Sequence, residues 1–270
     1  MKATVLVDNT PGSGLTGEWG LSVYIRHGDH TILLDTGASG LFEKNARALG
    51  LDLGAVDYAV LSHAHYDHAN GMDAFFRANS KAPFYLREGA GENCYSRLWI
   101  FHKYIGLPRH ILARFKDRIV FAGGDYELYP GAHLLGHTTA GLEQIGRENR
   151  MYIRDRRAWR PDDFAHEQSL ILDVDGGVAV FNSCSHGGAD TIIQEAAAAC
   201  PGKKVRALIG GFHLFTWPEA RVRAFARRVR DTGIEAGYTG HCTGNRAYGI
   251  LAEELGDIVH PLRVGTVIEL

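Results

Sequence analysis

Residues 61–71 read LSHAHYDHANG, which places three histidines and an aspartate in six consecutive positions directly after an apolar run. His63 and His65 are two apart, so in extended chain both point to one side and can chelate one ion. Asp67 and His68 follow, and a tight turn there aims them toward a second ion. Imidazole and carboxylate suit zinc at about 2.0 to 2.2 Å, and iron or manganese accept the same ligand types. A lone HxH is weak evidence, whereas HxHxDH is a metal-site pattern that a random surface loop has no reason to hold.

Three more apolar runs end in small-residue loops that carry histidine: VAVFNSCSHGG, RALIGGFHL and EAGYTGHCTG. Ligands collect at the carboxyl edges of strands in α/β sheets, so all four loops are expected to share one rim. Short strand-like runs recur from ATVLVD to TVIEL, and helical patterns stand at 39–50, with Ser39 as N-cap and Gly50 as stop, at 189–200, at 218–233, with Pro218 in the first turn, and at 243–256. Strand pairs dominate the first 40 residues and strand-helix alternation the second half, which favours two packed sheets over one doubly wound sheet.

The 270 residues, 45% of them hydrophobic, supply ample core, and no Pro- or Ser-rich linker divides them, so a single domain over 1–270 is expected. Residues 90–165 are the least regular part and read as an insertion or lid, with arginines for a carboxylate or phosphate, or else as an amphipathic helix and a solvated loop. No apolar run approaches a membrane span and the start lacks a signal-peptide layout, so a soluble, cytoplasmic protein without membrane contact is expected. Cys94, Cys184, Cys200 and Cys242 form no CxxC pair and read as reduced thiols. A formal net charge of -2 argues against a nucleic-acid partner, and oligomeric state is not legible.

HAHYDH matches the HxHxDH signature of the metallo-β-lactamase fold superfamily, and the chain also resembles it at DTG (35–37). With VDN near the start, HEQSLIL, SCSHGG, GGFHL and GHCTG, it resembles the subgroup of dihydropterin ribofuranosylaminobenzene phosphate synthase-like metallohydrolases. The resemblance implies an α/β, four-layer αβ/βα sandwich: two mixed β-sheets with helices on their outer faces. It implies two divalent metals, zinc first and iron or manganese as alternatives. His63, His65 and His186 would hold one metal, and Asp67, His68 and His241 the other. His137, in LLGHTTAG, resembles the superfamily's GHTPG ligand and competes with His186. The superfamily's bridging aspartate has no counterpart here, where Cys184 stands. The subgroup's glycine inside the first motif is Ala64, and its acidic residue before EQ is His166. Asp35 reads as an orienting group beneath the histidine loop, and His166 and Cys184 as neighbours of the ligands or of substrate.

The expected activity is hydrolysis of a small-molecule phosphoester, thioester or lactone through a metal-bound hydroxide, with Asp67 orienting it and His213 donating a proton. The alternative enzyme is a pterin-diphosphate-using synthase, and the alternative of another class is a non-catalytic metal sensor. A zincin is excluded, because Leu170 stands where HExxH needs its second histidine, and the lone DTG does not make an aspartic protease.

Overall fold

Alternation along the first strands sorts side chains into layers. In Lys2–Val7 and Ser22–His27, Val5, Val23 and Ile25 face a core shared with a second sheet, while Leu6 and Tyr24 face the opposite side. The second sheet repeats the pattern, with Leu170, Leu172, Ala179 and Phe181 inward and Ile171, Val178 and Val180 outward. Each sheet therefore needs an apolar cover on its outer face. Helices Leu41–Ala48 and Met72–Ala78 cover the first through Phe42 and Phe75, and helices Ala189–Ala199, Glu219–Asp231 and Asn245–Leu255 cover the second through Ile192, Phe225 and Leu251. The result, in a computed structural model that describes residues 1–270, is a four-layer αβ/βα sandwich built on two mixed seven-stranded sheets.

Strands Tyr58–Val60, Gly177–Phe181, Val205–Ile209 and Ala236–Thr239 each pair in parallel with a neighbour, and their carboxyl ends carry the four histidine loops to one rim. No helix is long and apolar enough to cross a membrane.

Local readings need correction in three places. Gly40, not Ser39, is the N-cap of the first helix; Ser39 Oγ accepts from Leu41 N–H and donates to Glu18. Pro218 precedes its helix, which begins at Glu219. Residues 90–165 are not helical in the main: Ile119–Ala122 joins the edge of one main sheet, Asp125–Tyr129 and Ala132–Gly136 join the edge of the other, and Cys94–Leu98, Phe101–Tyr104, Met151–Asp155 and Ala158–Pro161 form a separate four-stranded sheet. Bulky aromatic and basic residues hide the period there, because one face of that small sheet is solvent-exposed and carries arginine.

Candidate metal centre

The HAHYDH loop leaves the strand Tyr58–Val60 and turns into the short helix Tyr66–Ala69, with His65 extended at its N-cap. Extended chain before the turn keeps His63 and His65 together, and the helix redirects Asp67 and His68. All four are buried. Gly71 closes the turn where a Cβ would lie 2.3 Å from Thr36 O, so no larger residue fits without displacement.

His63, His65 and His186 meet with their ligand nitrogens within 4.8 Å of one another. Their Nε2 atoms are buried without a hydrogen-bond partner. For two of them the ring tautomer follows from the neighbours. Ser62 Oγ donates to Asp35 Oδ2 at 2.6 Å, so it accepts from His63 Nδ1–H at 2.8 Å. His186 Nδ1 meets the Glu167 carboxylate, which can only accept. Each Nε2 is thus left with a bare lone pair aimed at its neighbours, which is the form in which imidazole binds a metal.

Asp67, His68 and His241 form a second set. Asp67 Oδ2 lies 3.4 Å from His241 Nε2 and 3.7 Å from His68 Nε2, and the two Nε2 atoms are 3.2 Å apart. Ligand atoms at about 2.0 to 2.1 Å around a tetrahedral zinc stand roughly 3.3 Å from one another, so this spacing fits. Cys184 Sγ lies 3.3 Å from His68 Nε2 and also groups with His63, with His186 and His213, and with His241 and Cys242. It therefore faces both sets, with Cys242 Sγ 3.5 Å away.

Buried carboxylates and amides hold these rings. Asp35 accepts from Ser62 N–H at 2.7 Å and from His68 Nδ1–H at 2.8 Å. Burial alone would keep His68 neutral, but Asp67 and Asp35 raise its pKa to about 9. For Asp67, burial is outweighed by His68 and His241, and its carboxyl is held well below the usual range. Asn9 Oδ1 accepts from His241 Nδ1–H at 3.0 Å, and Asp8 accepts from the His241 backbone N–H. Glu167 also accepts from the His186 backbone N–H.

His137 is not among the converging nitrogens. Glu167 and Glu195 flank it at 3.0 Å each, and they overcome burial to raise its pKa to about 9. It thus stands one residue behind His186, and Gly187 packs on its ring, where a Cβ would lie 2.7 Å from His137 Cε1. His166 Nδ1 accepts from Ala64 N–H at 3.1 Å, and its Nε2 lies 3.1 Å from Asp162, which supplies the carboxylate from four residues upstream. That pair braces the backbone between His63 and His65.

A cavity of about 160 Å³ opens over both sets, walled by Trp19, Tyr66, Ile105, Met151 and Phe215, with His213 on its edge. Ser96 and Met151 come from the small sheet, so the irregular region does face this cavity, but no arginine lines it. The His213 ring lies 4.7 Å from that of His186. Asn9, Glu167 and Ser62 escaped the sequence reading as orienting groups. The available signals were VDN at the end of the first strand and the acid in HEQSL, but which ring each one meets depends on the packing of distant strands.

The family model described as metallo-beta-lactamase superfamily matches residues 16–198. The chain is 28% identical to Tm1679, a metal-dependent hydrolase of the beta-lactamase superfamily, whose crystal structure superposes with a TM-score of 0.85 over 100% of this chain and 99% of that one. It is 25% identical, over 83% of its length and 79% of the relative's, to 7,8-dihydropterin-6-methyl-4-(beta-D-ribofuranosyl)-aminobenzene-5'-phosphate synthase of Methanocaldococcus jannaschii. Zinc-bound PqqB from Methylobacterium extorquens shares the fold, at 12% identity and a TM-score of 0.59 over 100% of both chains.

Proposed function

The chain belongs to the metallo-β-lactamase superfamily, and from that premise we propose that it is a dinuclear metal-dependent hydrolase of a small-molecule ester, a phosphoester, thioester or lactone. The observation that carries the reading is the convergence of unpartnered, buried Nε2 atoms of His63, His65 and His186 beside the Asp67, His68 and His241 set. In this reading His63, His65 and His186 hold one ion, and Asp67, His68 and His241 the other. Cys184, where a bridging carboxylate would stand, faces both. Two bound divalent ions, zinc by ligand type, would acidify a water and act as Lewis acids on the electrophile.

The remaining chemistry belongs to the chain. Asp67 keeps its carboxylate ionised and, beyond ligation, accepts a hydrogen bond from the attacking water, which fixes its direction. His213 at the cavity edge hands a proton to the leaving group. Trp19, Ile105, Met151 and Phe215 exclude bulk water and offer an apolar bed to the substrate. Asp35 and Glu167 keep the ligand rings in their Nε2-binding tautomer.

Hydrolysis of bis(4-nitrophenyl) phosphate, a 4-nitrophenyl thioester and a lactone by metal-loaded protein tests the proposal. Turnover of one class, lost on chelation and restored by zinc or manganese, is expected; no turnover of any class with both metals bound would oppose it. A synthase reading draws support from the name of the M. jannaschii relative, and it would join a pterin diphosphate to a ribosylated aminobenzene phosphate with release of diphosphate. Product formed only when both substrates are present would select it over hydrolysis.

A further inference from the structure

A second cavity, of about 210 Å³, shares His186 and His213 with the metal cavity and is otherwise lined by different residues. Besides the His186 Nε2 already placed in the metal set, three of its lining residues carry a buried polar atom without a partner: Ser185 Oγ, His213 Nδ1 and Trp217 Nε1. Ser185 is only 1% exposed, so bulk water does not satisfy its hydroxyl. An indole N–H can only donate, and a hydroxyl donates as well as accepts.

The same cavity receives the N-terminus of the helix Ala189–Ala199. Gly188 is its N-cap and no side chain caps it, so the first-turn N–H groups remain free to bind a ligand. Of the cavity's charged lining residues two are cationic and one anionic: Arg228 pairs with Asp190 at 2.6 Å, while Arg221 stacks on the Trp217 ring at 3.7 Å and pairs with Glu148, outside the lining, at 3.4 Å.

Donors therefore outnumber acceptors and approach from several directions, which suits a tetrahedral anion better than a planar carboxylate. We propose that this cavity is a phosphate subsite, which anchors a phosphoryl group of the substrate apart from the bond broken in the metal cavity. Assigning the phosphate to a substrate rests on the hydrolase reading; the anion site itself does not.

Titration calorimetry of zinc-loaded protein with inorganic phosphate tests it, on wild type, Trp217→Phe and Arg221→Ala, with metal content measured in the same samples. The expected result is a phosphate-binding event that weakens roughly tenfold in either variant, the scale of one lost charge-assisted bond, at unchanged metal content. Wild-type affinity and stoichiometry in both variants would overturn the subsite and leave the metal reading intact. Phosphate binding that depends on Trp217 and Arg221 in protein unable to hold metal would keep the subsite and remove the hydrolase reading. A phosphorylated ester whose KM rises about tenfold in Arg221→Ala, with kcat retained, places the anion on the substrate. An unmoved KM beside weakened phosphate binding would assign the site to free phosphate and contradict the substrate role.

Discussion

His68 Nε2 and His241 Nε2 face each other 3.2 Å apart, and when both rings are neutral neither nitrogen has a proton to join them. His68 places its proton on Nδ1, against Asp35. His241 does the same against Asn9 Oδ1, whose orientation is fixed by a bond from Gly20 N–H and by donation from Asn9 Nδ2 to His241 O. Two lone pairs at this distance repel unless a cation lies between them, and Asp67 completes the set. The fold thus commits buried groups to an arrangement that only a proton or a metal relieves.

Asp35→Asn should weaken metal binding by about 10 to 100-fold, because the amide turns an N–H toward His68 Nδ1–H and removes the carboxylate that fixes the ring. Asparagine tolerates the left-handed backbone at this position, φ 58°, so the fold should persist. Competition with a chromogenic chelator measures the change. Wild-type affinity in the variant would contradict the orienting role.

His137 is expected to tie pH to stability. Its folded pKa, raised to about 9 by Glu167 and Glu195, exceeds an unfolded value of about 6.5. A raised pKa contributes stability that is fully present below about pH 6.5 and is lost as pH rises through about 9. His137→Leu should cost about 3 to 5 kcal/mol at neutral pH, since two buried carboxylates lose their counter-charge, and should flatten that alkaline decline. Urea unfolding at a series of pH values separates the two chains; parallel curves would contradict the account.

Gly71→Ala should destabilise the protein by roughly 1 to 3 kcal/mol, because the added methyl meets Thr36 O at 2.3 Å and Ser39 O at 2.6 Å in a packed turn. Thr36 also bonds His68 O, so metal retention should fall with stability. A melting temperature and metal content equal to wild type would show that the turn yields freely.

His213→Ala should lower kcat while metal content stays near wild type, since the proposed reading gives His213 no ligand role, although its ring groups with Cys184 and His186. Catalytic rate and metal content both unchanged would remove it from the reaction.

Much of the candidate site was legible because its candidate ligands follow strands. HAHYDH, SCSHGG and GHCTG each sit where an apolar run ends, and the parallel strands carry them to one rim. The choice between His137 and His186 depended on packing: both end strands, but Glu167 lies between them and leaves only His186 with a bare nitrogen toward His63 and His65. Asn9 could not be matched to His241 from sequence, because 232 residues separate them and only the sheet order brings them together. The small sheet was hidden for another reason. Tyr95, Arg97, Tyr152, Arg154 and Trp159 alternate with Ser96, Met151 and Ile153, but Trp, Tyr and Arg stand on the exposed face where polar alternation would usually mark a strand.

Metal content per chain by mass spectrometry, on wild type and Asp67→Ala purified without added metal, tests the dinuclear centre most directly. About two equivalents of zinc, iron or manganese in wild type, with a loss in the variant, is the predicted result. Less than about half an equivalent in wild type, even after reconstitution, would contradict a tight dinuclear centre and favour a weak-binding or sensing role.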